Sequence, residues 1–253
     1  MRLKSPPFLL LCVFWLFSPS VQAQTAEPDT SFIQSSVSAA VNSYREAVGL
    51  NAHLYNGPEY VTETISYLEG HQFFKEKIPT SGAVLYDGTW FNNVPMLYDV
   101  VIDELAIFHP GNGILQRLIK EKVQMFTLQD HLFVFIKSDS ISANSVIKPG
   151  LHDLLYKGEV QVLAKRDKDI QERATSKGME GAYEVMDKYY LYKDGAYHQV
   201  KSKSSVLKVL RDEKKQLQKF ARAQKLKFRR NREEALVQVA AHYDALKTQN
   251  LDR

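Results

Sequence analysis

Hydrophobic positions change their period twice along this chain. Between residues 30 and 48, Ile33, Val37, Ala40, Val41, Tyr44 and Val48 recur at helical spacing, and Gly49 follows as a C-terminal stop. The spacing predicts an amphipathic helix whose apolar stripe packs on the rest of the protein. Residues 50–81 carry no clear period. Turn signals at Asn56-Gly57-Pro58 and at Pro79-Thr80-Ser81-Gly82 bracket a short helix or irregular segment.

From Gly82 to about Val200 the period falls to two, the signature of strands. Ala83-Val84-Leu85-Tyr86 and Thr89-Trp90-Phe91 flank Asp87-Gly88, a favoured hairpin turn. Met96, Tyr98, Val100 and Ile102 alternate with Leu97, Asp99, Val101 and Asp103, which predicts one half-buried strand through 103. Residues 123–128 and 131–136 read as a second hairpin around Gln129-Asp130, and 189–192 and 196–200 as a third around Asp194-Gly195. Val160, Val162 and Ala164 mark a further strand. Residues 137–149 and 167–181 are polar and read as excursions from the sheet. The similar turns at Tyr86-Asp87-Gly88, Tyr156-Lys157-Gly158 and Tyr192-Lys193-Asp194-Gly195 are unevenly spaced, so they describe a meander rather than a repeat array.

The tail returns to helical spacing. Ser204 is a candidate cap for a helix carrying Val206, Leu207, Leu210, Leu217, Phe220 and Ala221. Asn231 with Glu234 has capping-box spacing before a helix presenting Ala235, Leu236, Val239, Ala240, Tyr243 and Leu246. The predicted fold is α+β. It comprises an N-terminal helix, a central antiparallel and curved sheet of about 8–10 strands, and a C-terminal helical hairpin. The expected segments are 1–23, 24–81, 82–200 and 201–253.

The first of these reads as a secretory signal peptide. Arg2 and Lys4 precede the apolar run Phe8–Phe17, and Val21-Gln22-Ala23 offers a small-residue cleavage site. The run is too short to span a bilayer, and no later segment is apolar enough to do so. The expected location is the periplasm or the exterior. The single cysteine, Cys12, lies in the apolar run, so the exported chain is expected to hold no disulfide and no thiolate ligand. Leu9-Leu10-Leu11 lacks the small residue that a lipid-bearing cysteine requires beside it.

Charge is segregated. Residues 24–200 carry 16 Lys+Arg against 23 Asp+Glu, whereas residues 201–232 carry 13 against 2. Lys214, Lys215, Lys219, Arg222, Lys225, Lys227, Arg229, Arg230 and Arg232 cluster at the helix–helix junction and are the candidate anion-binding residues. Two plainer uses of such a run are a solvated helix face and a dock onto the acidic body. Nucleic acid is the usual partner of this composition, but export argues against it. An envelope protein, an anionic lipid and a glycan are the partners that remain.

Catalytic spacings are missing. No two of the seven histidines stand two to four residues apart, which excludes the usual helical zinc pairs. No Gly-x-Ser-x-Gly elbow is present, and Gly111-Asn112-Gly113 lacks the third glycine of a dinucleotide loop. Asp99 and Asp103, on one face of the predicted strand, would stand roughly 13 Å apart at ~3.3 Å per residue, long even for an inverting glycosidase. They read as solvent-facing carboxylates. His109 and His131 border strands and read as surface or hydrogen-bonded rings. Tyr189, Tyr190, Tyr192 and Tyr197 concentrate in one hairpin, either as a binding face or as ordinary sheet aromatics. No cofactor and no metal is implied.

Several short segments resemble a family of exported, uncharacterised proteins from Bacteroidota. They are Leu54-Tyr55-Asn56-Gly57-Pro58-Glu59-Tyr60, Gly70-His71-Gln72-Phe73-Phe74, Val94-Pro95-Met96-Leu97-Tyr98-Asp99, Val162-Leu163-Ala164-Lys165-Arg166, Lys203-Ser204-Ser205-Val206-Leu207 and Leu226-Lys227-Phe228. The resemblance implies export and carries over no catalytic residue. The leading expectation is a non-enzymatic envelope binding or scaffold protein. Its competitors are a hydrolase whose acid and base come from distant strands, and a half-open barrel carrying a lipid.

Overall fold

The computed structural model describes residues 30–49, 53–62, 65–141 and 145–251. The segment 1–23 predicted as a signal peptide, with its predicted cleavage site, lies outside them. Two units are present, 1–48 and 49–253. The described part of the first is helix α1 (Thr30–Val48), ended by Gly49 at φ +47° as its sequence predicts. Ile33 and Val37 on its stripe are exposed.

The second unit is α+β. A ten-stranded antiparallel sheet runs in the order β13-β12-β9-β8-β7-β6-β2-β3-β4-β5, and its two outer strands do not pair, so it is not closed. Its strands are β2 (Thr80–Tyr86), β3 (Thr89–Asp99), β4 (Glu104–Phe108), β5 (Leu115–Arg117), β6 (Val123–Leu128), β7 (His131–Ile136), β8 (Gly150–Lys157), β9 (Gln161–Lys165), β12 (Lys188–Lys193) and β13 (Ala196–Val200). The predicted turns close their hairpins. Asp87-Gly88 and Asp194-Gly195 all take positive φ, the conformation whose twist matches paired antiparallel strands.

Two cores flank this sheet. One fills the space above β2, β3, β4, β6 and β7 with aromatic rings. Phe126 and Phe133 stack at 4.6 Å, Tyr98 meets Phe133 edge-on at 5.0 Å, and Phe74 closes on Phe133 at 5.2 Å. The other lies under β9, β12 and β13, where Val162, Leu191 and Val200 meet the C-terminal helices. Leu163, between Val162 and Ala164, is buried on the opposite face with Ile136, Ile147 and Tyr190. The tyrosine-rich hairpin therefore serves packing: Tyr190 is buried, and Tyr192 and Tyr197 pair across the strands at 4.7 Å.

Three stretches of the chain depart from expectation. The strand predicted through 103 ends at Asp99. The Asp99 carboxylate accepts the Val101 and Ile102 N–H groups, so the chain turns and returns as β4. Asp99 and Asp103 are not solvent-facing. Asp99 is buried and takes a 2.6 Å hydrogen bond from Tyr60, while Asp103 bridges Lys120, Lys165 and Tyr98. Second, the polar stretch at 167–181 leaves the ten-stranded sheet as expected, but it is itself ordered as a hairpin, β10 (Lys168–Thr175) with β11 (Gly178–Val185), which joins the short strand β1 (Leu68–Glu69) in a second sheet of three strands. Third, the first tail helix is two: α2 (Lys203–Val209) and α3 (Lys214–Ala223), preceding α4 (Arg232–Leu251). Ser202, not Ser204, caps α2, in a reciprocal box with Ser205.

Candidate anion-binding surface

The predicted cationic residues are carried by α3, the loop after it and the first residue of α4. Leu217 and Ala221 turn one face of α3 into the core against α4, whose Ala235, Leu236, Val239, Ala240, Tyr243 and Leu246 are all buried as predicted. The opposite face of α3 therefore points outward. Lys215, Lys219 and Arg222 stand there at i, i+4 and i+7, one stripe of the helix. Lys214 precedes the stripe, and Lys225, Lys227, Arg229 and Arg230 continue the charge through the loop. All eight are exposed. None makes an ion pair with a described residue. The band is thus not docked onto the acidic body. The ninth candidate, Arg232, differs. It is half-buried, stands over the Tyr189 ring at 5.8 Å and donates from Nε to the Phe228 carbonyl, so it belongs to the scaffold.

The acids of the tail explain why the cations are left unpaired. Asp212 accepts from Tyr243, Lys193 and Lys247 at 2.6–2.9 Å. Burial opposes its ionisation, but the donors from Lys247, Tyr243 and Lys193 outweigh it and hold the carboxyl well below the usual range. Asp244 accepts from the Tyr156 hydroxyl and from the N–H groups of Glu159 and Val160, tying α4 to the β8–β9 turn. Glu233 reaches the sheet through Arg166. These three acids are engaged by the scaffold and act as struts rather than as partners of the cationic band.

Arg166 is the centre of a buried cluster that sequence reasoning missed. All five of its N–H groups are used: Nε and Nη2 on Asp153, Nη1 on Asp187 and Glu233, and Nη2 on Glu233 as well. Burial lowers its basicity, but Glu233, Asp153 and Asp187 outweigh that and raise it well above normal. His131, the predicted hydrogen-bonded ring, meets the same Asp153 oxygen through Nδ1 at 2.7 Å. Ligand atoms of His131, Asp153 and Glu233 lie within 4.8 Å of one another, a donor set suited to a divalent cation. The guanidinium already neutralises both acids at hydrogen-bond distance, and a second cation would be repelled, so the arrangement does not fit a metal. The only sequence signal for this cluster is the apolar run that carries Arg166 out of β9. His109 has the plain role expected of it, with Nδ1 accepting from Gly111 and Asn112 in the turn that follows β4.

Beside the cationic stripe lies a shallow groove between α3 and α4, about 450 Å³, lined by Lys215, Gln216, Lys219, Phe220, Ala223, His242 and Leu246. Phe220 and His242 stack at 4.0 Å to form its floor. Apolar floor and cationic rim together match an amphiphile with an anionic head. Comparison of the chain with protein families, curated proteins and solved structures found no match.

Proposed function

We propose that this is an exported, non-enzymatic binding protein that docks on anionic lipid headgroups of the cell envelope through the outer face of α3 and the loop after it. The observation that supports the reading is the set of eight exposed cations with no carboxylate partner among the described residues. The apolar groove beside Lys215 and Lys219 favours a lipid over a glycan, because an acyl chain covers more apolar surface than the C–H face of a sugar. No helix among the described residues is long and apolar enough to cross a membrane, and surface docking requires none. The acids converging from distant strands are each hydrogen-bonded to the buried Arg166, and the aromatic stack fills the space that a carried lipid would need.

The test is co-sedimentation with phosphatidylglycerol-containing vesicles. Binding is expected at low salt, with loss at high salt and none to pure phosphatidylcholine, because exposed charges are screened within about 10 Å at moderate ionic strength. Replacing Lys215, Lys219 and Arg222 together by serine should weaken it by about tenfold or more. Binding that ignores salt, or that survives the triple substitution unchanged, sinks the proposal.

A further inference from the structure

One arrangement outside the cationic surface has the parts of an amine-based reactive site. Lys75 follows the buried Phe74 in a turn pinned to β3 by the Phe74 N–H to Tyr98 carbonyl bond and the Phe73–Asp99 bridge. Its backbone is left-handed, φ +50°, a conformation costing an L residue on the order of 1 kcal/mol. That turn places the exposed Lys75 Nζ 2.7 Å from His131 Nε2 and 5.4 Å from the centre of the Phe74 ring. His131 Nδ1 in turn is 2.7 Å from Asp153 Oδ2, and Asp153 is 1% exposed. Arg166 donates to the same oxygen from Nε and Nη2, setting its guanidinium against the buried carboxyl group. The carboxylate fixes the ring with Nδ1–H toward itself, so the Nε2 lone pair faces the amine. An amine, a ring nitrogen able to take its proton and a buried group that orients the ring form the arrangement of an activated nucleophile.

We propose that Lys75 condenses with small aldehydes, with His131 carrying its protons. The Lys75 ammonium passes a proton to Nε2, and the free amine adds to the carbonyl carbon. The imidazolium, stabilised by Asp153, returns that proton to the new alkoxide. A second Nζ proton, moved the same way, lets the hydroxyl leave as water, and the carbon–nitrogen double bond forms. One ammonium and one aldehyde give one protonated imine and one water, with no oxidant or reductant consumed.

The experiment exposes the whole exported chain to propionaldehyde at neutral pH, traps imines with cyanoborohydride for a short interval, and maps alkylated lysines by peptide mass spectrometry. Lys75 is expected to react about tenfold or more faster than the exposed Lys214 and Lys225, within the range of general acid–base assistance. His131→Gln keeps an acceptor for the amine but cannot carry a proton, so it should bring Lys75 down to the reference rate, with Lys214 and Lys225 unmoved. Reaction of wild-type Lys75 at the reference rate overturns the proposal. So does a His131→Gln protein that keeps the preference. If that variant does not fold, the wild-type ratio of Lys75 to the reference lysines decides alone.

Discussion

His152 and Asp153 are neighbours on β8 and show two opposite ways of burying a titratable group. Each is 1% exposed. Asp153 is met by the Arg166 guanidinium, which donates to it from Nε and Nη2. His152 bonds the Gly150 carbonyl through Nδ1, packs edge-on against Tyr190, and has no partner at Nε2 among the described residues. Burial pushes its pKa down to about 4, against the opposing pull of the Gly150 carbonyl. The folded ring is therefore neutral where an unfolded one, with an ordinary value near 6.5, already binds a proton. Between about pH 6.5 and pH 4 the unfolded state holds more protons, so stability falls as pH falls, by up to about 3 kcal/mol in the limit. A melting profile against pH should show this slope in the wild type and a flatter one in His152→Gln; parallel profiles would remove the assignment. For Arg166 the expectation has the opposite origin. Arg166→Met leaves Asp153 buried without its cation and should cost about 3–5 kcal/mol in urea unfolding. Arg166→Lys should recover only part of this, since one ammonium cannot span three carboxylates as the planar fork does.

At the scale of elements, what could be read from the sequence was whatever depends on near neighbours. The hairpins at Asp87-Gly88 and Asp194-Gly195, α1 with its Gly49 stop, and the buried stripe of α4 all follow from spacing and turn chemistry. The β10–β11 hairpin did not, because it stands clear of both large cores. With little core to face, its strands show no apolar alternation. They are held by their backbone ladder and by pairs such as Arg173 with Glu180, which sit opposite each other in register. The break between α2 and α3 was equally hidden. It coincides with Asp212, whose partners Lys193, Tyr243 and Lys247 are distant in sequence. The cationic residues of the surface were visible as a run, but not that Arg232 turns inward, since its Tyr189 contact crosses from helix to sheet. The attachment of α4 can be tested at Gly158. A Cβ there would lie 1.8 Å from Asp244 Oδ2, and that oxygen is held by Tyr156 and the Glu159 N–H. Gly158→Ala should force Asp244 away and lose about 1–3 kcal/mol. Asp244→Ala should cost a similar amount, and the double variant little more than either alone. Additive losses in denaturant titrations would show that the two residues act separately.

Over the whole molecule, charges of opposite function occupy different depths, and this gives stability and binding opposite responses to salt. The cationic stripe is exposed and has no carboxylate partner among the described residues, so its members repel one another across water and dissolved ions screen that repulsion. The Arg166 cluster is buried, with Asp153 at 1% and Arg166 at 6% exposure, where screening has little effect. Raising the salt concentration at constant pH should therefore relieve the repulsion while leaving the struts intact, and the melting temperature should rise modestly. The same addition should release the protein from anionic vesicles. Substituting Lys215, Lys219 and Arg222 by serine removes much of the repulsion in advance. That variant should melt at or slightly above the wild type in low salt, gain less from added salt and bind vesicles weakly. Because salt also weakens exposed pairs elsewhere, such as Arg173–Glu180, the comparison decides: a wild type that gains no more from salt than the triple variant would show that Lys215, Lys219 and Arg222 are not free, mutually repelling charges. The surface would then be part of the scaffold rather than free to meet a partner.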